Sequence, residues 1–198
     1  MANTVSNEAK EIINKYKQLL RTNNLTEFYT HTGRYTAEIT QFFFTMGVDV
    51  FKHLTKIPRN FLFGADEIKD IDIPGNIDSI GREAFKQSSI ESVKLEDGVS
   101  VIDAEAFEDC KSLKHVDLGR VSVIKDGAFR NCNALREVYL PDSVMMMGRN
   151  VWPDNIVIKS GPRKKKTLRF PKAELDWYKS HLILYNTTVE NELGEGEQ

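Results

Sequence analysis

A chain of 198 residues, 40% hydrophobic and 28% charged, has the composition of one ordinary globular domain, or of one domain with an end cap. A net charge of −2 excludes a whole-protein field that would draw the chain to nucleic acid or to a membrane, and two cysteines, Cys110 and Cys132, are too few for a disulfide scaffold. The start, MANTVSNEAK, has neither a basic opening nor an apolar core, and the apolar-rich patch Phe42 to Phe51 is too short to span a bilayer, so we expect a cytoplasmic protein without a signal peptide and with no membrane contact.

In chain order, residues 1–56 read as a helical N-terminal cap. Ser6 is placed to N-cap a helix whose apolar face is Ile12, Ile13, Tyr16, Leu19 and Leu20 at spacings of three and four, and Asn23 and Asn24 stop it. Thr36 to Met46 reads as a second helix with Ile39, Phe42, Phe43 and Met46 on one side and Gly47 at its end. The expected role of this block is to cover the open apolar end of a stack of repeats.

Those repeats occupy residues 57–158. Phe85, Phe107 and Phe129 stand 22 residues apart, each preceded by an alanine (Ala84, Ala106, Ala128), and Ile80, Ile102 and Ile124 keep the interval. Phe63 lies 22 residues before Phe85, and Trp152 lies 23 after Phe129, which makes Trp152 a core residue on the same pattern. Alternating apolar pairs mark one strand per repeat with one face buried: Ile71 and Ile73, Val93 and Leu95, Val116 and Leu118, Val138 and Leu140. A second apolar pair comes after each strand, from Ile77 and Ile80 to Val144 and Met147, and Gly75, Gly98 and Gly119 mark the corner between. No unit of this length buries its own apolar side, so four to five of them must stack into a solenoid with parallel strands paired between neighbours. The fold class is thus α+β: a solenoid of short parallel strands with an α-helical N-terminal cap and a C-terminal cap.

Residues 159–186 read as that C-terminal cap. It carries a basic segment, a strand at Leu168 and Phe170, and a helix from Pro171 to about His181 whose apolar content is Leu175, Trp177 and Tyr178. Residues 187–198, TTVENELGEGEQ, read as a disordered acidic tail.

The stretches IDSIGREAFKQSSIESVKLEDGV, VSVIDAEAFEDCKSLKHVDLGRV and VSVIKDGAFRNCNALREVYLPDSV resemble the BspA-like class of leucine-rich repeats over roughly 57–158. That resemblance implies a leucine-rich-repeat solenoid and a protein-binding role, as in the repetitive surface proteins of bacteria and protozoa. With few repeats and no export signal, the chain looks like the short, non-secreted or phage type.

No stretch carries a nucleophile elbow, a P-loop, a zinc motif or a dinucleotide fingerprint, so we expect no enzyme, no metal and no cofactor. Cys110 and Cys132, at one repeat position, are expected to be packed free thiols. The surface with information is the outward side of the strands. Stacking lines up Asp72, Lys94, Asp117 and Tyr139, then Asp70, Ser92, His115 and Glu137, then Lys69, Glu91, Lys114 and Arg136, and opposite charges alternate down the first ladder and largely down the third, set to pair across strands. Either this is a solvated face, or it is a protein-recognition face in which Asp72, Lys94, His115, Asp117, Arg136, Glu137 and Tyr139 take part, centred on Tyr139 and Arg136. A second candidate is the basic run Arg163, Lys164, Lys165 and Lys166 with Arg169 and Lys172, which reads as a solvated loop, a contact for an acidic protein, or a phosphate contact with Trp177 and Tyr178 able to stack on bases. The functional expectation is a non-enzymatic protein-binding module. The alternatives are a phage- or mobile-element-encoded inhibitor or adaptor that docks on a nucleic-acid-handling or defence enzyme, and direct nucleic-acid binding through the basic segment.

Overall fold

The computed structural model describes residues 36–160 except 46, 48 and 53, the backbone of 166–183 and 187–191, and positions 6, 7, 10, 11 and 14; side chains of the C-terminal part are described at 169 and 171–178. Helix α1 spans Thr36–Thr45. Thirteen strands come after it among the described residues, two per repeat. The two-residue strands β1 (Lys56–Ile57), β3 (Ser79–Ile80), β5 (Val101–Ile102), β7 (Val123–Ile124) and β9 (Met146–Met147) form one parallel row, which β11 (Lys166–Phe170) and β13 (Thr187–Asn191) extend to seven strands. The other strands stack on the other side: β2 (Asp70–Ile73), β4 (Ser92–Leu95) and β6 (His115–Asp117) in one sheet, and β8 (Glu137–Leu140), β10 (Val157–Ser160) and β12 (Leu182–Ile183) in another. The chain is therefore a parallel solenoid, as the period requires.

The aromatic ladder is its core. The rings of Phe85, Phe107, Phe129 and Trp152 stack nearly parallel, with centroids 4.9, 5.1 and 4.9 Å apart and planes within 6°. That spacing is close to the distance between hydrogen-bonded strands, so the rungs of the coil themselves impose ring-on-ring contact. Backbone bonds fix the height of each ring: Phe85, Phe107 and Phe129 donate from N–H to the carbonyls of Ala106, Ala128 and Val151 one rung on.

The first rung departs from the expected count. Ile57 pairs with Ile80, an interval of 23 rather than 22. Leu62 therefore donates to Ala84 where Phe85 donates to Ala106, and the buried ring beneath Phe85 is that of Phe61, centroid 6.1 Å away and nearly perpendicular. Phe63, expected in the ladder, falls at the position of Lys86 and is 38% exposed. Helix α1 closes this end. Ile39 is buried, and Phe44 packs edge-on against Phe51 and Phe61. Gln41 ties the helix down, donating from Nε2 to Asp66 Oδ1 and accepting from Asp66 N. Of the first predicted helix, the described positions 7, 10, 11 and 14 are helical and Lys10 N–H donates to Ser6 O; Ile12, Ile13, Tyr16, Leu19 and Leu20 lie outside the described residues.

The loops make left-handed turns at two fixed repeat positions. Asn60, Glu83, Glu105, Gly127 and Asn150 form one set and Gly64, Gln87, Asp109 and Asn131 the other, all with φ between 49° and 67°. Stacking holds non-glycine residues there at a cost of roughly 1 kcal/mol each. Exposed Gln87 (φ 60°) uses only its backbone, donating to Glu108 O. We expect Gln87→Gly to raise the unfolding free energy by about 0.5–1 kcal/mol in urea titration, since glycine adopts this conformation freely. A destabilised variant would show that the turn carries no such strain.

Two further expectations meet the structure at the C-terminal end. Pro171 precedes a 3₁₀ turn at Lys172–Glu174 and helix α2, Leu175–His181, as predicted. The tail is corrected in part: Thr187–Asn191 forms β13, parallel to β11, rather than disordered chain. Two threonines and a valine suit a strand, and the edge of β11 offers unpaired backbone groups to it. Residues 192–198 lie outside the described residues.

Candidate protein-binding surface

The strands β2, β4 and β6 set their outward side chains in register, Asp70 against Ser92 and His115, and Asp72 against Lys94 and Asp117. Alternation explains why: Ile71, Ile73, Val93 and Leu95 point into the core, so their neighbours must face solvent. All seven residues predicted for the face, Asp72, Lys94, His115, Asp117, Arg136, Glu137 and Tyr139, are exposed.

The face is not one continuous sheet. β8 lies beside β6, but no ladder joins them, and β8 pairs instead with β10. Tyr139 and Glu137 thus belong to a second plate, where Tyr139 is in register with Lys159 and Glu137 with Val157. Tyr139 is 55% exposed and Val157 40%, which makes this plate the more apolar one. Trp152 takes no part in it: its ring is 4% exposed and stacked on Phe129.

The expected cross-strand pairing holds in one ladder and fails in another. Lys114 Nζ lies 2.6 Å from Glu91 Oε2, and this hydrogen bond draws the Glu91 carboxyl below its usual range. Lys159 Nζ lies 2.5 Å from Glu137 Oε2. Asp72, Lys94 and Asp117 form no ion pair among the described residues; Asp117 Oδ1 instead accepts from Gly119 N at 3.1 Å, held by its own turn. Their charges remain available to a partner.

A larger charge network, one that strand positions alone do not reveal, lies along the loops. Lys86 Nζ is 2.6 Å from Glu108 Oε2, 3.0 Å from Glu105 Oε2 and 3.7 Å from Glu83 Oε1, and Arg130 donates to the other oxygen of buried Glu108. Its signal is the same repeat count: Lys86, Glu108 and Arg130 alternate in sign at intervals of 22. The Glu108 hydrogen bond, then Glu105, holds the Lys86 ammonium above its ordinary 10.5, and Lys86 in turn holds Glu105 below 4.5. A carboxyl with a depressed folded pKa adds stability above its unfolded value and loses it as pH falls through the folded one. The raised lysine adds stability below 10.5 and loses it at higher alkalinity. Lys86→Met leaves three carboxylates facing each other and should cost about 2 kcal/mol at pH 7, less than a fully buried pair because solvent reaches the site. At a pH of about 3.5 the loss should shrink, since protonated carboxyls no longer need the cation. An equal loss at both pH values in urea titration would refute this role.

Cys110 and Cys132 are buried and free. Each Sγ donates to a carbonyl one rung back, Cys110 to Phe85 O and Cys132 to Phe107 O, both at 3.0 Å. The sulfur of Cys110 beside it, then burial, pushes the Cys132 thiol well up, so it is held as an inert thiol. Of the basic segment, Arg163, Lys164 and Lys165 lie outside the described residues. Lys166 and Arg169 fall on β11, and Arg169 is exposed and in register with Met146.

A coil with two parallel strands per rung, a stacked phenylalanine in each loop and polar side chains outward is the geometry of leucine-rich repeats of short period. The sequence profile of the BspA type leucine rich repeat region matches residues 44–159 in six copies. The chain belongs to this family. A leucine-rich repeat protein from Bacteroides capillosus is 30% identical, with 46% of this chain covering 76% of that one at a TM-score of 0.44. One from Bacteroides ovatus is 23% identical over 64% of this chain and 36% of its own length (TM-score 0.48), and the pneumococcal vaccine antigen PcpA is 17% identical over 59% and 43% (TM-score 0.47). The chain thus spans less than half the length of the latter two. Among curated proteins, none matches it. The BspA-type repeat is a fold that commonly serves as a protein-interaction module. Among the described residues no helix is long and apolar enough to cross a membrane.

Proposed function

We propose that the chain is a non-enzymatic protein-binding module that presents the outward strand face to a protein partner. The observation that carries this reading is Tyr139: a large aromatic held mid-strand on a rigid plate, 55% exposed, beside exposed Val157 and half-buried Lys159, with exposed Arg136 just before the same strand. Tyrosine and arginine concentrate binding energy at interface centres, and a packed sheet fixes their side chains before the partner arrives. Asp72, Lys94 and Asp117 supply charge without an ion-pair partner among the described residues at the other plate, suited to orienting the partner rather than holding it. His115 and Glu137 complete the face.

The test is affinity capture from the native host with the full chain and two variants. Tyr139→Ala with Arg136→Ala should reduce recovery of the partner at least about tenfold, as loss of a central hot spot does. Reversal of charge at Lys164, Lys165 and Lys166 should leave it unchanged. The opposite pattern would reject the strand face and place binding on the basic segment.

A further inference from the structure

We propose that the cavity between the last rung of the coil and helix α2 binds an organic cation, an ammonium or guanidinium group such as ends a lysine or arginine side chain. The cavity has a volume of about 290 Å³, enough for such a group, and its walls include Trp152, Trp177, Asp154, Glu174 and Asn150. Two indoles and two carboxylates converge there, and among the described residues no lysine or arginine lines it. Aromatic faces attract a cation through their quadrupole, and the attraction strengthens where water is partly displaced. The carboxylates set the sign of the ligand. Glu174 Oε2 accepts from Asn150 N at 3.3 Å, which holds the carboxylate at the wall, and Asp154 is exposed and forms no ion pair among the described residues.

A second observation is independent of charge. The indole N–H of Trp152, a residue only 4% exposed, is buried with no hydrogen-bond acceptor among the described residues. An orphaned buried donor is rare in a native interior and marks an unfilled partnership. The local field agrees: burial, then the Glu174 and Asp126 carboxylates, pushes the phenol of neighbouring Tyr178 upward, while its hydroxyl donates to Gly148 O at 3.1 Å. None of this depends on the strand face.

The chain's only tryptophans are Trp152 and Trp177, and both line the cavity, so intrinsic emission reports on it directly. The full chain is titrated with N-acetylarginine amide, with tetramethylammonium chloride, and with sodium chloride at matched ionic strength. A saturable emission change is expected with an organic cation and not with sodium. Asp154→Asn with Glu174→Gln keeps the shape of the cavity and should raise Kd at least about tenfold at unchanged melting temperature. Trp177→Ala should do the same; if it also lowers the melting temperature, the double amide variant decides. Response to the arginine amide alone assigns the cation to a polypeptide, and response to both assigns it to organic cations generally. A response equalled by sodium chloride, the lack of a saturable response, or one that survives in the double amide variant overturns the proposal.

Discussion

Phe107→Ala should lower the unfolding free energy by about 3–5 kcal/mol, the range for removing a buried phenylalanine. The ring is fully buried and has a ring on either side, Phe85 at 4.9 Å and Phe129 at 5.1 Å. Truncation therefore removes two stacking contacts and opens a void in mid-column. The void cannot collapse, because the Phe107 N–H to Ala128 O bond and its counterparts hold the rungs at fixed separation. A solenoid has no other core to draw on, since each rung touches only its neighbours. Urea titration followed by far-ultraviolet circular dichroism reads the effect. A loss below about 1 kcal/mol would mean that the aromatic column is not what holds the coil together.

Gly98→Ala should be comparably damaging, by about 3 kcal/mol or more, for a different reason. A Cβ at Gly98 would sit 2.0 Å from the carbonyl oxygen of Gly75 and 2.6 Å from its carbon. The obstacle is backbone of the adjoining rung, which no rotamer change relieves. The rungs must part, and the pairing of β2 with β4 beside them is strained. Gly127→Ala is the control. Its φ is 66°, but its Cβ would meet only Glu105 Cγ at 3.5 Å and the Arg130 guanidinium. The cost there is conformational and about 1 kcal/mol. Equal melting temperatures for the two variants would show that the Gly75–Gly98 approach is not a tight contact.

The ladder Phe85–Phe107–Phe129–Trp152 and the strands were legible because stacking turns a spatial column into a sequence interval. The same rule explains the error at Phe63. It assumes equal rungs, and the first rung is one residue longer, which puts Phe61 beneath Phe85 and Phe63 outside. The Lys86–Glu108–Arg130 column obeys the interval and was readable in principle, but it lies on the loops rather than on the strand positions where cross-strand pairing is sought. The Trp152–Trp177 cavity was not readable, because the residues join only when the chain after β11 folds back on the last rung. Whether Asp117 and Tyr139 share a sheet was likewise invisible: the alignment of side chains is written in the spacing, but the twist between adjacent rungs is not.

The parting of those two strands has a consequence for the size of a footprint on this face. On one side of the coil the odd-numbered strands β1 to β13 form an unbroken seven-stranded row, while on the other the strands separate between β6 and β8. The unbroken row ties each rung to the next, while the outward face is divided once, between β6 and β8. A partner that grips Asp117 on one plate and Tyr139 on the other would bridge that division, and one that uses a single plate would not.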